Sequence, residues 1–167
     1  MTIAITLDDA CAALAADPTA TVLAGGTDLM VQVNRGDLSI GNVVAIDRVP
    51  ELRGWTREGD VLRIGAGMTY AEMSDPGFGA LAPALGQAAR TVGSPQIRAT
   101  GTIGGNLATA SPAGDMLPVL VALDAVLELR SSNGGRLLPL DEFVVGVKAN
   151  ALSAGELIVA VRVPVLH

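Results

Sequence analysis

The chain has 167 residues, half of them hydrophobic, with a net charge of −6 and only two Phe, one Tyr and one Trp. That length supports one domain, or two small lobes sharing an aliphatic core, while the acidic balance and the shortage of stacking residues exclude nucleic acid as a partner. A single cysteine, Cys11, and a single histidine, His167 at the last position, leave no disulfide, iron–sulfur or zinc site and no histidine-based triad to expect within the chain.

In chain order, "TLDDACAALAADP" opens with Thr6 as a helix cap, puts Asp8 and Asp9 in the first turn, aligns Leu7, Cys11 and Leu14 on one face and stops at Pro18. Cys11 then reads as a small core residue. "TVLA" is a short strand, Gly25-Gly26 a turn, "DLMVQVNRG" a helix from Asp28 to Gly36, and "NVVAID" a second strand. This alternation predicts a small parallel sheet within residues 1–54. From residue 55 to 167 the texture changes. "VLRIGAG" alternates as a strand, "PALGQAAR" is helical, and "MLPVLVALD" is an apolar helix broken or begun near Pro118. "AVLELRSSNGGRLLPL" reads as a hairpin turning at Asn133-Gly134, and "ELIVAVRVP" closes with another strand. The second part is therefore an α+β lobe with a mostly antiparallel sheet. No stretch approaches about 18 apolar residues and no basic segment precedes an apolar run at the start, so neither a transmembrane segment nor a signal peptide is expected, and the cytoplasm is the expected location.

Two small-residue runs carry the chemistry: "LAGGTDLM" at 23–30 and "RATGTIGGNLATASPAGD" at 98–115. Gly25-Gly26 can take positive φ and present successive N–H groups at the start of the following helix, which makes an anion site without lysine. Gly101, Gly104 and Gly105 are read as doing the same, with Thr102 and Asn106 adding side-chain donors. Two such loops suit a diphosphate. Either alone is more simply a tight turn. Neither matches the phosphate-binding loop ending in Lys-Ser/Thr, nor the G-x-G-x-x-G of a dinucleotide fold, so nucleotide hydrolysis and ordinary hydride-transfer folds are unsupported.

"LAGGTDLMVQVNRG", "GSPQIRATGTIGGNLATASPAGDMLPVLVALDA", "LDEF" and "ELIVAVRVP", in this order and spacing, resemble the FAD-binding domain of the flavoprotein (medium) subunits of molybdenum hydroxylases, the xanthine dehydrogenase and carbon monoxide dehydrogenase group. The resemblance spans nearly the whole chain. It implies the FAD-binding fold of the p-cresol methylhydroxylase type, with a small parallel-sheet lobe, a larger mostly antiparallel lobe and FAD between them. The "LAGGTDLM" match implies FAD contacts from Leu23, Ala24, Gly25, Gly26, Thr27, Asp28 and Leu29, and the "TIGGN" match from Thr102, Ile103, Gly104, Gly105 and Asn106. Asp115 corresponds to an acid that contacts the cofactor, suited to accept from sugar or ribityl hydroxyls, and its other reading is a helix N-terminal acid. Val92 and Ile158 fall at apolar contacts to FAD, or are plain core.

Family members continue past "RVP" into a further C-terminal domain that this sequence lacks, so the chain reads as a fragment or shortened product. The implied function is electron relay: FAD takes electrons from the iron–sulfur clusters of a 2Fe-2S small subunit, fed by a molybdenum-cofactor large subunit, and passes them to NAD or a quinone. No catalytic side chain and no metal ligand is assigned to this chain. Two other readings stand beside it, a free-standing flavin-dependent reductase of the same fold and a non-catalytic assembly module.

Overall fold

The computed structural model describes residues 1–165, so His167 lies outside the described residues. The first part of the chain runs β1 (Thr2–Ile3), α1 (Leu7–Ala16), β2 (Thr21–Leu23), α2 (Leu29–Arg35) and β3 (Val43–Ala45). Both outer strands pair with β3 in parallel, giving the order β1-β3-β2. α1 starts where the sequence places it. The Thr6 hydroxyl accepts from the Asp9 amide and the Asp9 carboxylate accepts from the Thr6 amide, each at 3.1 Å. Its inner face, Leu7, Ala10, Cys11 and Leu14, packs on Val44 and Ile46. Cys11 is 2 % exposed, and burial pushes its thiol pKa up, as expected of a packing residue.

A 3-10 turn at Pro50–Leu52 leads to β4 (Trp55–Glu58) and β5 (Val61–Gly65), followed by α3 (Tyr70–Met73), α4 (Pro76–Leu81), α5 (Pro83–Thr91), α6 (Pro95–Thr100), α7 (Ile103–Thr109) and α8 (Met116–Ala122). Then come β6 (Val126–Ser131), β7 (Gly134–Pro139), α9 (Leu140–Phe143), β8 (Val144–Gly146), β9 (Ala149–Asn150) and β10 (Leu157–Pro164). The main sheet is five-stranded and antiparallel, in the order β4-β5-β10-β6-β7. Pro118 neither breaks α8 nor begins it. It sits in the first turn, which starts at Met116, where no intrahelical N–H is required. The hairpin turns one residue earlier than expected: Ser131 pairs with Gly134, leaving Ser132 and Asn133 as the loop. The Asn133 amide donates to the Ser131 hydroxyl at 3.2 Å, which closes the turn there, and neither loop residue has positive φ.

One strand serves two cores. In β10, Ile158 pairs with Leu129 and Ala160 with Glu128, so Val159 is bulged out of the ladder. A bulge reverses which side chains face which side. Before it, the odd residues Leu157 and Val159 pack into the core with α1; beyond it, Val161 and Val163 pack into the larger core with Ile64, Leu85, Ile103 and Leu127. The same parity change puts Arg162 on the opposite face. There Arg63 and Arg162 hold the two Glu128 oxygens at 2.8 Å, and Arg162 also meets Glu58 at 3.0 Å. Burial works against the Glu128 charge, but hydrogen bonds from the two arginines outweigh it and hold the carboxyl below its usual range. Among the described residues no helix is long and apolar enough to cross a membrane.

Candidate functional site

A cleft of about 660 Å³ opens between the two sheets. It gathers all of Leu23 to Leu29 with Val92, Thr102, Gly104, Gly105, Asn106, Asp115 and Ile158. The two runs, at 23–30 and 98–115, are thus brought face to face. Two residues singled out from the sequence do not line the cleft: Gly101 is buried, and Ile103 is 0 % exposed in the larger core. Val92 and Ile158 each pack in that core and also form part of the cleft wall.

The first run follows β2 at the carboxyl end of the parallel strands, where open sheets present ligand crevices. Gly26 has φ 71, so the backbone reverses there in a conformation that side chains resist. The amides of Gly26, Thr27 and Asp28 find no acceptor among the described residues, while the Gly26 carbonyl takes the Met30 amide at 2.9 Å and the Asp28 carbonyl the Gln32 amide at 3.2 Å. These donors are free for a ligand. Gly25 meets a different demand. Its φ is not positive, and a Cβ there would collide with the Thr100 carbonyl, because the two runs touch.

The second run differs from expectation. Residues 103–109 are helical, and none of Gly101, Gly104 and Gly105 has positive φ. Their amides are spent inside the protein: Gly104 donates to the Ala66 carbonyl at 2.8 Å, Ile103 to Met68 at 3.1 Å, and Gly105 to the Thr102 hydroxyl at 3.1 Å. This segment is not an amide cradle. Its glycines provide room. A Cβ on Gly104 would lie 2.7 Å from the Ala66 methyl, and one on Gly101 would lie 3.0 Å from the Tyr70 ring. Helix α7 therefore seats flush on the segment that follows β5, at Ala66 and Met68, and its other side, with Asn106 and Thr109, floors the cleft. The Asn106 Oδ1 is buried without a hydrogen-bond partner among the described residues.

Charge in the cleft is mixed. Asp115 is the acid at the N-terminus of α8, where its carboxylate makes no capping bond, and it also lines the cleft. Asp28 faces the Thr109 hydroxyl at 3.3 Å, which ties the first run to α7. Glu156 also lines the wall, where Arg136 grips both its oxygens at 2.8 Å; that hydrogen-bonded pair lowers its pKa to about 2 despite burial. Lys148, the single lysine of the sequence, is the only cationic side chain among the described residues that line the cleft. Sequence reasoning missed Tyr70, Thr109, Lys148 and Glu156. The usable signal was "TYAE" at 69–72, a capping box that fixes α3 and with it Tyr70: the Thr69 hydroxyl accepts from the Glu72 amide at 3.3 Å and the Glu72 carboxylate from the Thr69 amide at 2.7 Å.

A parallel lobe and an antiparallel lobe enclosing a cleft walled by two glycine-rich segments define an α+β flavin-binding domain of the p-cresol methylhydroxylase type. The chain belongs to the family described as the FAD binding domain in molybdopterin dehydrogenase, which matches residues 1–166. It is 36 % identical over 163 residues to the xanthine dehydrogenase FAD-binding subunit of Escherichia coli O157:H7, covering 96 % of this chain and 56 % of that protein. It is 37 % identical over 147 residues to the carbon monoxide dehydrogenase medium chain of Hydrogenophaga pseudoflava, covering 87 % of this chain and 51 % of that one. The solved carbon monoxide dehydrogenase of Hydrogenophaga pseudoflava lacking the Mo-pyranopterin moiety superposes with a TM-score of 0.94 at 32 % identity, over 99 % of this chain and 58 % of the matched chain. The chain thus spans about half the length of the relatives it matches. FAD is the cofactor of this family, and the cleft fits it. The volume lies within the range of about 300–1,000 Å³ of small-molecule sites, unpaired amides line one wall, and glycines keep the other clear.

Proposed function

We propose that this chain is the flavin-binding part of a molybdenum hydroxylase, built as lobes 1–54 and 55–167, working in the cytoplasm as an FAD-dependent oxidoreductase subunit. The observation that carries it is the row of unpaired amides at Gly26, Thr27 and Asp28 facing a glycine-cleared wall across the cleft. These amides would hold the diphosphate, where bare N–H dipoles offset its charge without lysine. Leu23, Ala24 and Leu29 would shape the same wall. Thr102, Gly104, Gly105 and Asn106 would floor the site by close approach, Asp115 would take sugar hydroxyls, and Val92 and Ile158 would offer apolar contact. Ile103 would act only by holding α7 in place. Bound FAD supplies the redox chemistry, carrying electrons from the iron–sulfur clusters of a 2Fe-2S partner subunit, reduced in turn by a molybdenum-cofactor subunit, to NAD or a quinone. The chain's own part is binding, orientation and exclusion of water. With one cysteine, these 167 residues hold no iron–sulfur cluster of their own, so electrons would reach the flavin from outside them.

The test is anaerobic. The FAD-loaded chain is mixed first with an organic hydroxylase substrate alone, and then with that substrate plus the iron–sulfur and molybdenum partners. Bleaching of the flavin absorption only with both partners is the expected result. Bleaching by substrate alone would favour the free-standing reductase, and a chain that never takes up FAD would favour the assembly module.

A further inference from the structure

Asn150, the last residue of β9, does not line the cleft, yet its side chain is engaged at both atoms. Its Nδ2 donates to the Ala108 carbonyl at 2.7 Å, and its Oδ1 accepts from the Leu152 amide at 3.0 Å. Two residues earlier the Lys148 amide donates to the Ala110 carbonyl at 3.0 Å. Both carbonyls belong to the C-terminal end of α7, where a helix leaves its last acceptors without internal partners. This helix needs the support. It is seven residues long, carries Gly104 and Gly105 in its first turn, and stops at Ala110 with φ 45, a left-handed conformation that alanine resists.

That end of α7 carries Thr109. Its hydroxyl has one proton and two acceptors in reach, the Gly105 carbonyl at 2.9 Å and the Asp28 carboxylate at 3.3 Å. The longer contact is, among the described residues, the one hydrogen bond that joins residues 23–29 to α7. Being the weaker of the two, it is the first to go if the last turn of α7 frays. We propose that Asn150 is a positioning residue of the cleft: by holding the last turn of α7 it keeps Thr109 against Asp28, and so fixes the amides of Gly26 to Asp28 relative to the floor they face. What those amides bind rests on the FAD reading above. The coupling from Asn150 to Asp28 is a property of the chain with or without ligand.

The test uses the whole chain with Asn150→Asp, which keeps the shape and the oxygen that Leu152 needs but loses the donor to Ala108, and Thr109→Val, which keeps the shape and loses the hydroxyl. Asn150→Ala, which adds no charge, serves as a second variant at the first position. Thermal melts identify the folded variants. By flavin fluorescence each single change is expected to weaken FAD by about fivefold, and Asn150→Asp with Thr109→Val by no more than either alone. In the ligand-free chain, hydrogen exchange should quicken in each variant at the amides of Met30 and Gln32, which donate to the carbonyls of Gly26 and Asp28. A tie that merely stabilises the fold would lower the melt and leave both readouts uncoupled. Unchanged FAD affinity in the Asn150 variants, losses that multiply in the double variant, or unchanged exchange at Met30 and Gln32 overturns the proposal. A wild-type chain that takes up no FAD overturns the cofactor reading instead, and the exchange result then decides the coupling alone.

Discussion

The two glycine runs look alike in sequence and differ in physics. In the first, Gly26 supplies a left-handed turn and the amides that follow point at nothing in the protein; in the second, every amide from Ile103 to Gly105 already has a carbonyl or hydroxyl acceptor. One run offers donors and the other offers space. Glycine content therefore marks where backbone comes close, but only hydrogen-bond accounting distinguishes a cradle from a wall. The distinction also fits the acidic chain, since a single set of free amides suffices and no basic cluster is needed.

The largest effect should come from the space-giving wall. Gly104→Val would drive side-chain atoms into Ala66, and overpacking at this buried contact costs about 3 kcal/mol. For a chain of this size that lowers the melting temperature by roughly 10 °C. A melt within experimental error of the wild type would show that α7 does not need the flush seat. Gly26→Val tests the other run. A β-branched residue at φ 71 costs about 1–3 kcal/mol and turns the amides away. FAD affinity should fall by at least about tenfold, by the same arithmetic, while the core, which Gly26 does not enter, stays folded. Equal losses of stability and affinity in both variants would break the contrast.

Much of the scaffold was legible in the sequence because it rests on local rules. The Thr6 cap, the Gly36 stop, the β2 and β3 strands and the presence of β5 and β10 all follow from neighbours within a few residues, although β10, expected to alternate, is buried along most of its length. What was not legible depends on long-range partners. α7 reads as loop because two glycines open it, and it is helical only because Met68 and Ala66 accept its first amides and Thr102 caps it. β4 shows no alternation, since all four of its residues are exposed, and it exists as an edge strand on β5. The bulge at Val159 has no signature in "ELIVAVRVP". Of the site, the glycines and Asp115 were visible as small or acidic residues in odd places. Tyr70 was not, because the Gly101 that makes its seat lies beyond three intervening helices.

Smaller effects sharpen the comparison further. The far wall of the cleft carries a titrating pair, Arg136 with Glu156. The carboxyl of Glu156 is held at about 2, below its ordinary 4.5, so its contribution to stability is complete above about pH 4.5 and is lost as pH falls toward 2. Glu128, likewise depressed, adds to the same acid limb. Arg136→Met should remove the Glu156 part, leaving a shallower decline in melting temperature across that window; an unchanged slope would mean the pair is stability-neutral. The smallest effect belongs to Gly105→Ala. The position is helical, its φ is not positive, and a Cβ meets only the Thr102 hydroxyl at 3.1 Å. Helix propensity gains up to about 1 kcal/mol from that change, against a disturbed cap, so the melting temperature should stay near wild type.

The claim that free amides of the first run hold a diphosphate is tested most directly by one titration series. FAD and FMN are each added to the wild-type chain and to Gly26→Val, with binding followed by flavin fluorescence. FAD should bind the wild type at least about tenfold tighter than FMN, and the preference should collapse in the variant as FAD weakens toward FMN. Equal affinities in the wild type, or a preference that survives in a folded Gly26→Val, would contradict the account.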